Sequence, residues 1–210
     1  MKILLLRYQS VSLIMRNAEI TKEKILSEAA ALFNVKGFKA TSLSDITTAT
    51  GFTKGAIYRH FTDKEDLEEH AYEYMSERMQ EKFKAVIKTK NNAADKLKAI
   101  CSFFYSYIHS PVIEGGCPIL NAGVESDDTK PGLNKKVINL LEVFQGSLEH
   151  IVRKGIEYGQ LKPSTDPVSF STVFVATLEG AVLLSKIRNR NKEMKIIIKH
   201  LETQIELIKI

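Results

Sequence analysis

Cysteine is scarce in the 210-residue chain. Cys101 and Cys117 form no CxxC pair, and no histidine stands at a zinc-ligand spacing from either. Neither a disulfide framework nor a structural zinc site is expected, and reduced thiols in a cytoplasmic protein fit best. No apolar run reaches the roughly 18 residues of a membrane helix, so no membrane span is expected. The opening MKILLLRYQSVSLIM has the apolarity of a weak signal peptide. However, Arg7, Tyr8 and Gln9 interrupt it and no A-x-A-like cleavage site follows. Residues 1–17 read instead as an N-terminal extension, disordered or preceding the native start, with Met15 as an alternative first residue. Strand-like alternation is nearly absent, as are internal repeats and low-complexity tracts. Also missing are a nucleophile elbow, a P-loop, a dinucleotide glycine motif, HExxH and paired carboxylates in an apolar setting. The five histidines (His60, His70, His109, His150, His200) are scattered. The expectation is a non-enzyme with no catalytic residues, no metal and no cofactor.

What is present is helix signal and positive charge. The net charge of +5 and pI near 9.0 suit nucleic acid, an acidic partner or a membrane surface. Thr21 can cap a first helix whose Ile25, Ala29, Leu32 and Phe33 share a face, with Gly37 as its left-handed stop. Thr41 or Ser42 starts a second, short helix with Leu43, Ile46 and Ala49 inward, and Gly51 ends it. Thr53 caps a third helix reaching about Phe61. Asp63 caps a fourth, with Asp66 in a capping-box-like position, and an apolar stripe from Leu67 to Val86 carries it to the polar break at Lys88–Asn92. Further helices are predicted over Ala93–His109, Gly132–Tyr158, Pro167–Arg188 and Lys192–Ile208. The short segment CPILNAGVE and the loops SDDTKPG and GQLKPSTDP lie between them. The fold class is all-α, about nine helices, in three parts: the extension 1–17, a small helical head 18–78 with two short helices at about 42–61, and a larger helical body 79–210.

The head carries the specific signal. Two short helices joined at a glycine, with a supporting helix before them, make a helix-turn-helix. At about 100° per residue, Ile57 and Phe61 face the other helices. Gly55 and Arg59 point away, flanked by Lys54 and Tyr58 on one side and Ala56 and His60 on the other. Gly55 and Ala56 allow close approach to a duplex, and Lys54 and Tyr58 suit phosphates. Arg59 and His60 can reach base edges, where arginine most often reads guanine. Lys64 and Thr41 would each hold a further phosphate. The plainer alternative is a solvated basic face. It is disfavoured because cap, glycine stop, second cap and the Ile/Phe pair occur in order.

The stretches ILSEAAALFNVKGFKATSLSDI and TGFTKGAIYRHFTDKEDL resemble the DNA-binding domain of TetR-family transcriptional regulators. This resemblance implies a homodimeric, ligand-responsive protein, usually a repressor, bound to an operator in double-stranded DNA. Its DNA-contacting positions carry over to Thr41, Thr53, Lys54, Gly55, Ala56, Tyr58, Arg59, His60 and Lys64. Ala56 stands where the family commonly has Thr or Ser, and Thr47 and Thr48 replace small or acidic residues.

In the body, Phe103, Phe104, Tyr107, Phe144 and Phe174 are candidates to line a cavity for an unidentified small-molecule effector, or are simply core. Cys117, in a segment resembling one found in a subset of the family, is a further pocket candidate. It is either a redox or electrophile sensor or a small buried residue. The last two helices, with wide apolar stripes, are the expected dimer contact, pairing as a four-helix bundle.

Overall fold

The computed structural model describes the backbone of residues 2–107, 109–126 and 129–210, and side chains within those spans from residue 17 onward. The elements are α1 (Lys2–Lys36), α2 (Leu43–Thr50), α3 (Lys54–Ile57), α4 (Lys64–Lys88), α5 (Ala93–Tyr107), α6 (Pro118–Ser126), α7 (Pro131–Glu157), α8 (Pro167–Arg188) and α9 (Lys192–Ile208). Among the described residues there is no strand, only an isolated antiparallel bridge between Leu161 and Lys209 that ties the α7–α8 loop to the end of α9.

Capping chemistry sets most boundaries. Ser42 caps α2 with a reciprocal box: its hydroxyl accepts from the Asp45 N–H at 3.2 Å, and the Asp45 carboxylate accepts from the Ser42 N–H at 2.8 Å. Lys36 and then Ser42 hold the Asp45 carboxyl well below the usual carboxylate range. Gly51, at φ 73°, closes the helix in the left-handed conformation that a glycine adopts without steric cost. Asp63 caps α4 through the Asp66 N–H, while Asp66 reaches back to the Thr62 N–H rather than to that of its own cap.

Three expectations change here. Thr21 is not a cap: it lies inside α1 and its hydroxyl donates to the Asn17 carbonyl. The expected extension falls mostly on residues 1–16, whose side chains lie outside the described residues, as do Asp127 and Asp128 of the expected SDDTKPG loop. Ala49 is exposed, and Thr50 takes its inward place, donating to the Ile46 carbonyl and accepting from the Phe52 N–H. On length and composition α8 could cross a membrane, contrary to the reading of the sequence, although Phe174, Leu178 and Ala181 bury one of its faces in the protein.

Two apolar cores meet along α4 and α7. The first joins Ile25, Ala29 and Phe33 of α1 to Ile46, Ile57, Phe61, Leu67 and Met75, and continues into Leu133, Val137 and Leu140 of α7. The second fills the body between α5, α7, α8 and α9, around Leu97, Ile100, Leu148, Val152, Leu178 and Met194. Ile119 of α6 packs against both.

A polar clasp joins head and body where α1 ends. Asn34, buried on α1, donates to the carbonyls of Glu114 (2.6 Å) and Gly116 (2.8 Å). Asn121 of α6 donates to the Asn34 carbonyl (3.1 Å), its amide oxygen (3.0 Å) and the Gly115 carbonyl (2.9 Å). Gly115 sits at φ 103°, and a Cβ there would lie 2.3 Å from the Asn34 carbonyl oxygen. Gly115→Ala should therefore lower stability by about 2–4 kcal/mol, from left-handed strain plus a backbone clash, as read by urea unfolding.

Candidate nucleic-acid interface and effector cavity

The expected DNA-reading face is built on a shorter helix than its sequence pattern predicts. α3 is one turn, Lys54–Ile57, and Tyr58 to His60 continue it only as a turn. Thr53 caps it, its hydroxyl accepting from the Ala56 N–H at 3.2 Å. Ile57 and Phe61 are buried as expected and fix the segment on α1 and α2. Thr53, Lys54, Gly55 and Arg59 are exposed, and Tyr58 is 48% exposed. Ala56 and His60 are half-buried, with the His60 ring 6.3 Å from that of Phe61. Among the described residues no carboxylate pairs with Lys54 or Arg59, so their charges are uncommitted. By contrast Lys36, one helix away, is spent on Asp45 at 2.8 Å.

Thr41 does not belong on this face. It is fully buried and its hydroxyl donates to the Gly37 carbonyl at 2.7 Å, so it stitches the α1–α2 turn instead of holding a phosphate. Lys64 is only half-available: its ammonium donates to the Phe38 carbonyl at 2.9 Å and pairs with buried Glu68 at 3.2 Å. Lys24 was not anticipated. It stands over the Phe52 ring at 5.2 Å, beside the turn that launches α3. No local pattern exposes it, because only the packing of α1 on that turn brings it there.

The body holds a narrow apolar cavity of about 30 Å³, room for one or two water molecules. Its walls come from five places: Met79, Gln80 and Phe83 on α4, Phe103 and Phe104 on α5, Cys117 and Ile119 at α6, Leu140, Val143 and Phe144 on α7, and Glu179 on α8. Phe144 stacks on Phe104 at 5.6 Å and meets Phe83 edge-on at 4.8 Å. Phe103, Phe104, Cys117 and Phe144 thus lie where expected, but Tyr107 and Phe174 do not. Tyr107 is turned away to donate its hydroxyl to the Gly116 carbonyl at 3.2 Å. Phe174 packs in the core against Phe170 and borders a separate groove between α8 and α9.

Of the wall residues that the sequence did not single out, Glu179 is the charged one, and a signal existed: it is the sole charged residue from Pro167 to Ser185. Its Oε1 accepts from the Cys117 thiol at 3.0 Å, and burial raises its carboxyl above the usual range. Burial, then the Glu179 charge, pushes the Cys117 thiol well above its ordinary value. Such a thiol is not a ready nucleophile, so the geometry lends no support to the sensing alternative.

Comparison with known proteins bears on both halves. Residues 25–71 match the family model for bacterial regulatory proteins of the tetR family, and residues 93–201 match that for the tetracyclin repressor-like C-terminal domain. A TetR transcriptional regulator from Chloroflexus aurantiacus J-10-FL superposes with a TM-score of 0.89 at 37% identity, covering 92% of this chain and 98% of that one. A TetR-family regulator from Cytophaga hutchinsonii gives 0.85 at 30%, covering 92% and 97%. The HTH-type transcriptional repressor DhaR of Mycobacterium sp. (strain GP1) is 21% identical over 173 residues, 82% of this chain and 85% of the relative. The fold and its exposed head define a helix-turn-helix DNA-binding regulator with a helical ligand-binding body. The chain belongs to the TetR family of transcriptional regulators. Members of that family bind DNA operators and small-molecule effectors and act as dimers.

Both thiols should resist modification in the folded protein. Burial pushes Cys101 up to about 12 from an ordinary 9.0. A folded value above the unfolded one stabilises below about pH 9, and that contribution is lost as pH rises toward 12. Ellman's reagent near neutral pH should leave Cys101 and Cys117 unreacted until urea unfolds the chain. Fast reaction of one thiol in the native state would contradict this.

Proposed function

We propose that the protein is a homodimeric repressor that leaves a palindromic operator when a small molecule enters the body cavity. The observation that carries this reading is an uncommitted, exposed Lys54–Tyr58–Arg59 face on a head tied to the walls of a small apolar cavity. Operator contacts are assigned to Thr53, Lys54, Gly55, Ala56, Tyr58, Arg59 and His60, with Lys64 as a secondary phosphate contact and Lys24 added beside the turn. A protein acting on operator DNA works in the cytoplasm. DhaR, a relative along most of its length, is named a transcriptional repressor, which favours that sign of regulation.

Dimerisation is assigned to α8 and α9. The outward positions of α8 run Val173, Ala176, Gly180, Leu183, Leu184 and Ile187, a helical stripe left exposed by the chain's own core. Val173 is 63% and Ile187 71% exposed, and Ile196 on α9 is 60% exposed. Apolar stripes of this length mark an interface between subunits. A two-fold axis there sets two α3 segments about 34–36 Å apart, one turn of DNA.

The switch needs two arrangements of the head relative to the body. The cavity has room for only one or two waters, so a larger effector must spread α4 from α7 or shift the Cys117–Ile119 wall. Either movement reaches the head, the first through α4 itself and the second through the Asn121–Asn34 clasp.

Operator titration with and without effector should show a weakening of about 5–150-fold, a coupling of about 1–3 kcal/mol. An effector that fills the cavity and leaves operator affinity unchanged would sink the switch. Arg59→Ala should cost about 1–3 kcal/mol at the cognate operator and relax its sequence preference, while Tyr58→Phe weakens all DNA binding modestly. Equal losses on cognate and random DNA would make Arg59 a phosphate contact. A Cβ on Gly180 meets nothing within 4 Å in one chain, so Gly180→Leu should fold normally. Its dimer should dissociate about tenfold or more readily in analytical ultracentrifugation; an undisturbed dimer would move the interface off α8.

A further inference from the structure

One buried charge in the cavity wall exceeds what an arbitrary apolar effector requires. Glu179 Oε1 is occupied by the Cys117 thiol, but Oε2 is shut off from solvent and has no hydrogen-bond partner. A buried carboxylate oxygen left unpaired is a standing cost to the fold.

The surroundings narrow what could remove that cost. Among the described residues no basic side chain lines the cavity. Lys186, farther along the same helix, is held by the Gly115 carbonyl and by Asn121 Oδ1 at 3.3 Å. Phe83, Phe103, Phe104 and Phe144 supply the remaining surface, and aromatic faces attract cations. An anionic effector would meet a carboxylate and no counter-charge. A neutral one without a donor would leave Oε2 as it is.

We infer that the effector is a hydrophobic cation, an aryl or alkyl amine whose apolar body sits among the phenylalanines and whose ammonium donates to Glu179 Oε2. This rests on the reading of the cavity as the effector site. An ammonium drawn to Glu179 also competes for the carboxylate that holds Cys117. That loosens the residue preceding α6, the helix whose Asn121 clasps Asn34 of α1.

The test uses three probes of one shape: 4-phenylbutylammonium, 4-phenylbutanol and 4-phenylbutyrate, titrated calorimetrically into the full-length protein and into Glu179→Gln. The ammonium should bind about tenfold or more tighter than the alcohol, with the carboxylate weakest, because the cation adds the attraction of opposite charges to the hydrogen bond that the hydroxyl can also donate. In Glu179→Gln the ammonium should fall to the level of the alcohol, whose own unchanged affinity shows that the cavity is intact. The inference is overturned if alcohol or carboxylate binds as well as the amine, if the amine preference survives in the variant, or if none of the three binds. Operator titration of the same protein separates the two readings. Amine selectivity without operator binding removes the regulator and keeps the site, and operator binding without amine selectivity removes only the ligand class.

Discussion

The clasp around Asn34 is the constraint on which the arrangement of head and body depends. A single buried amide on α1 is bonded to two carbonyls of the turn before α6, and Asn121 returns bonds to the same residue. Buried polar groups of this kind tolerate little displacement, because each lost partner leaves a desolvated donor or acceptor. The clasp therefore has few workable positions, and it lies between the α1–α2 turn and the Cys117–Ile119 wall of the cavity. Gly115 is its steric counterpart, since no side chain fits where its backbone meets Asn34.

Charge is distributed to reinforce this joint and to leave the exposed face of α3 without carboxylate partners among the described residues. Along α4, Glu68 is buried between Lys64 and Lys130, the residue that precedes α7. Lys136 of α7 pairs with Glu69 and Glu73. The exposed pairs add little stability individually. Glu68 differs: losing either lysine would leave a buried carboxylate undercompensated, so the pair fixes register between α4 and α7 more than it adds net stability. Lys54 and Arg59 have no such partner among the described residues. Carboxylates gather at the joint while the bases at the tip stay unpaired, so a modest net charge of +5 leaves a locally basic surface there.

Legibility in the sequence followed the range of the interaction. Gly51, Thr53 and Asp63 act within a few residues of themselves, and their roles were readable from spacing alone, whereas spacing left Thr41 and Ser42 as alternative starts of α2 and the structure chose Ser42. The Ile57/Phe61 pair was readable for the same reason. Thr41 was misplaced because its position at a helix start says nothing of the Gly37 carbonyl that claims its hydroxyl. Ala49 and Thr50 exchanged roles because a threonine hydroxyl can satisfy itself on its own helix and then be buried. Tyr107 and Phe174 carry the same apolar signal as Phe104 and Phe144, and only the path of neighbouring helices decides which rings face a cavity. Glu179 stood out in composition as a lone charge in an apolar helix, but its meaning required knowing that Cys117, 62 positions earlier, lies against it.

From the sequence alone came the all-helical class, most helix ends, the helix-turn-helix and the residues of its outward turn. These rest on backbone capping and on a 3.6-residue period, which are local properties of the chain. Tertiary structure decided which cations at the head stay unpaired, which aromatics wall the cavity and which face of α8 is left exposed. It also brought one carboxylate to rest unpaired in an apolar wall. Those outcomes depend on contacts between residues far apart in the chain, where periodicity carries no information and only packing selects the partner.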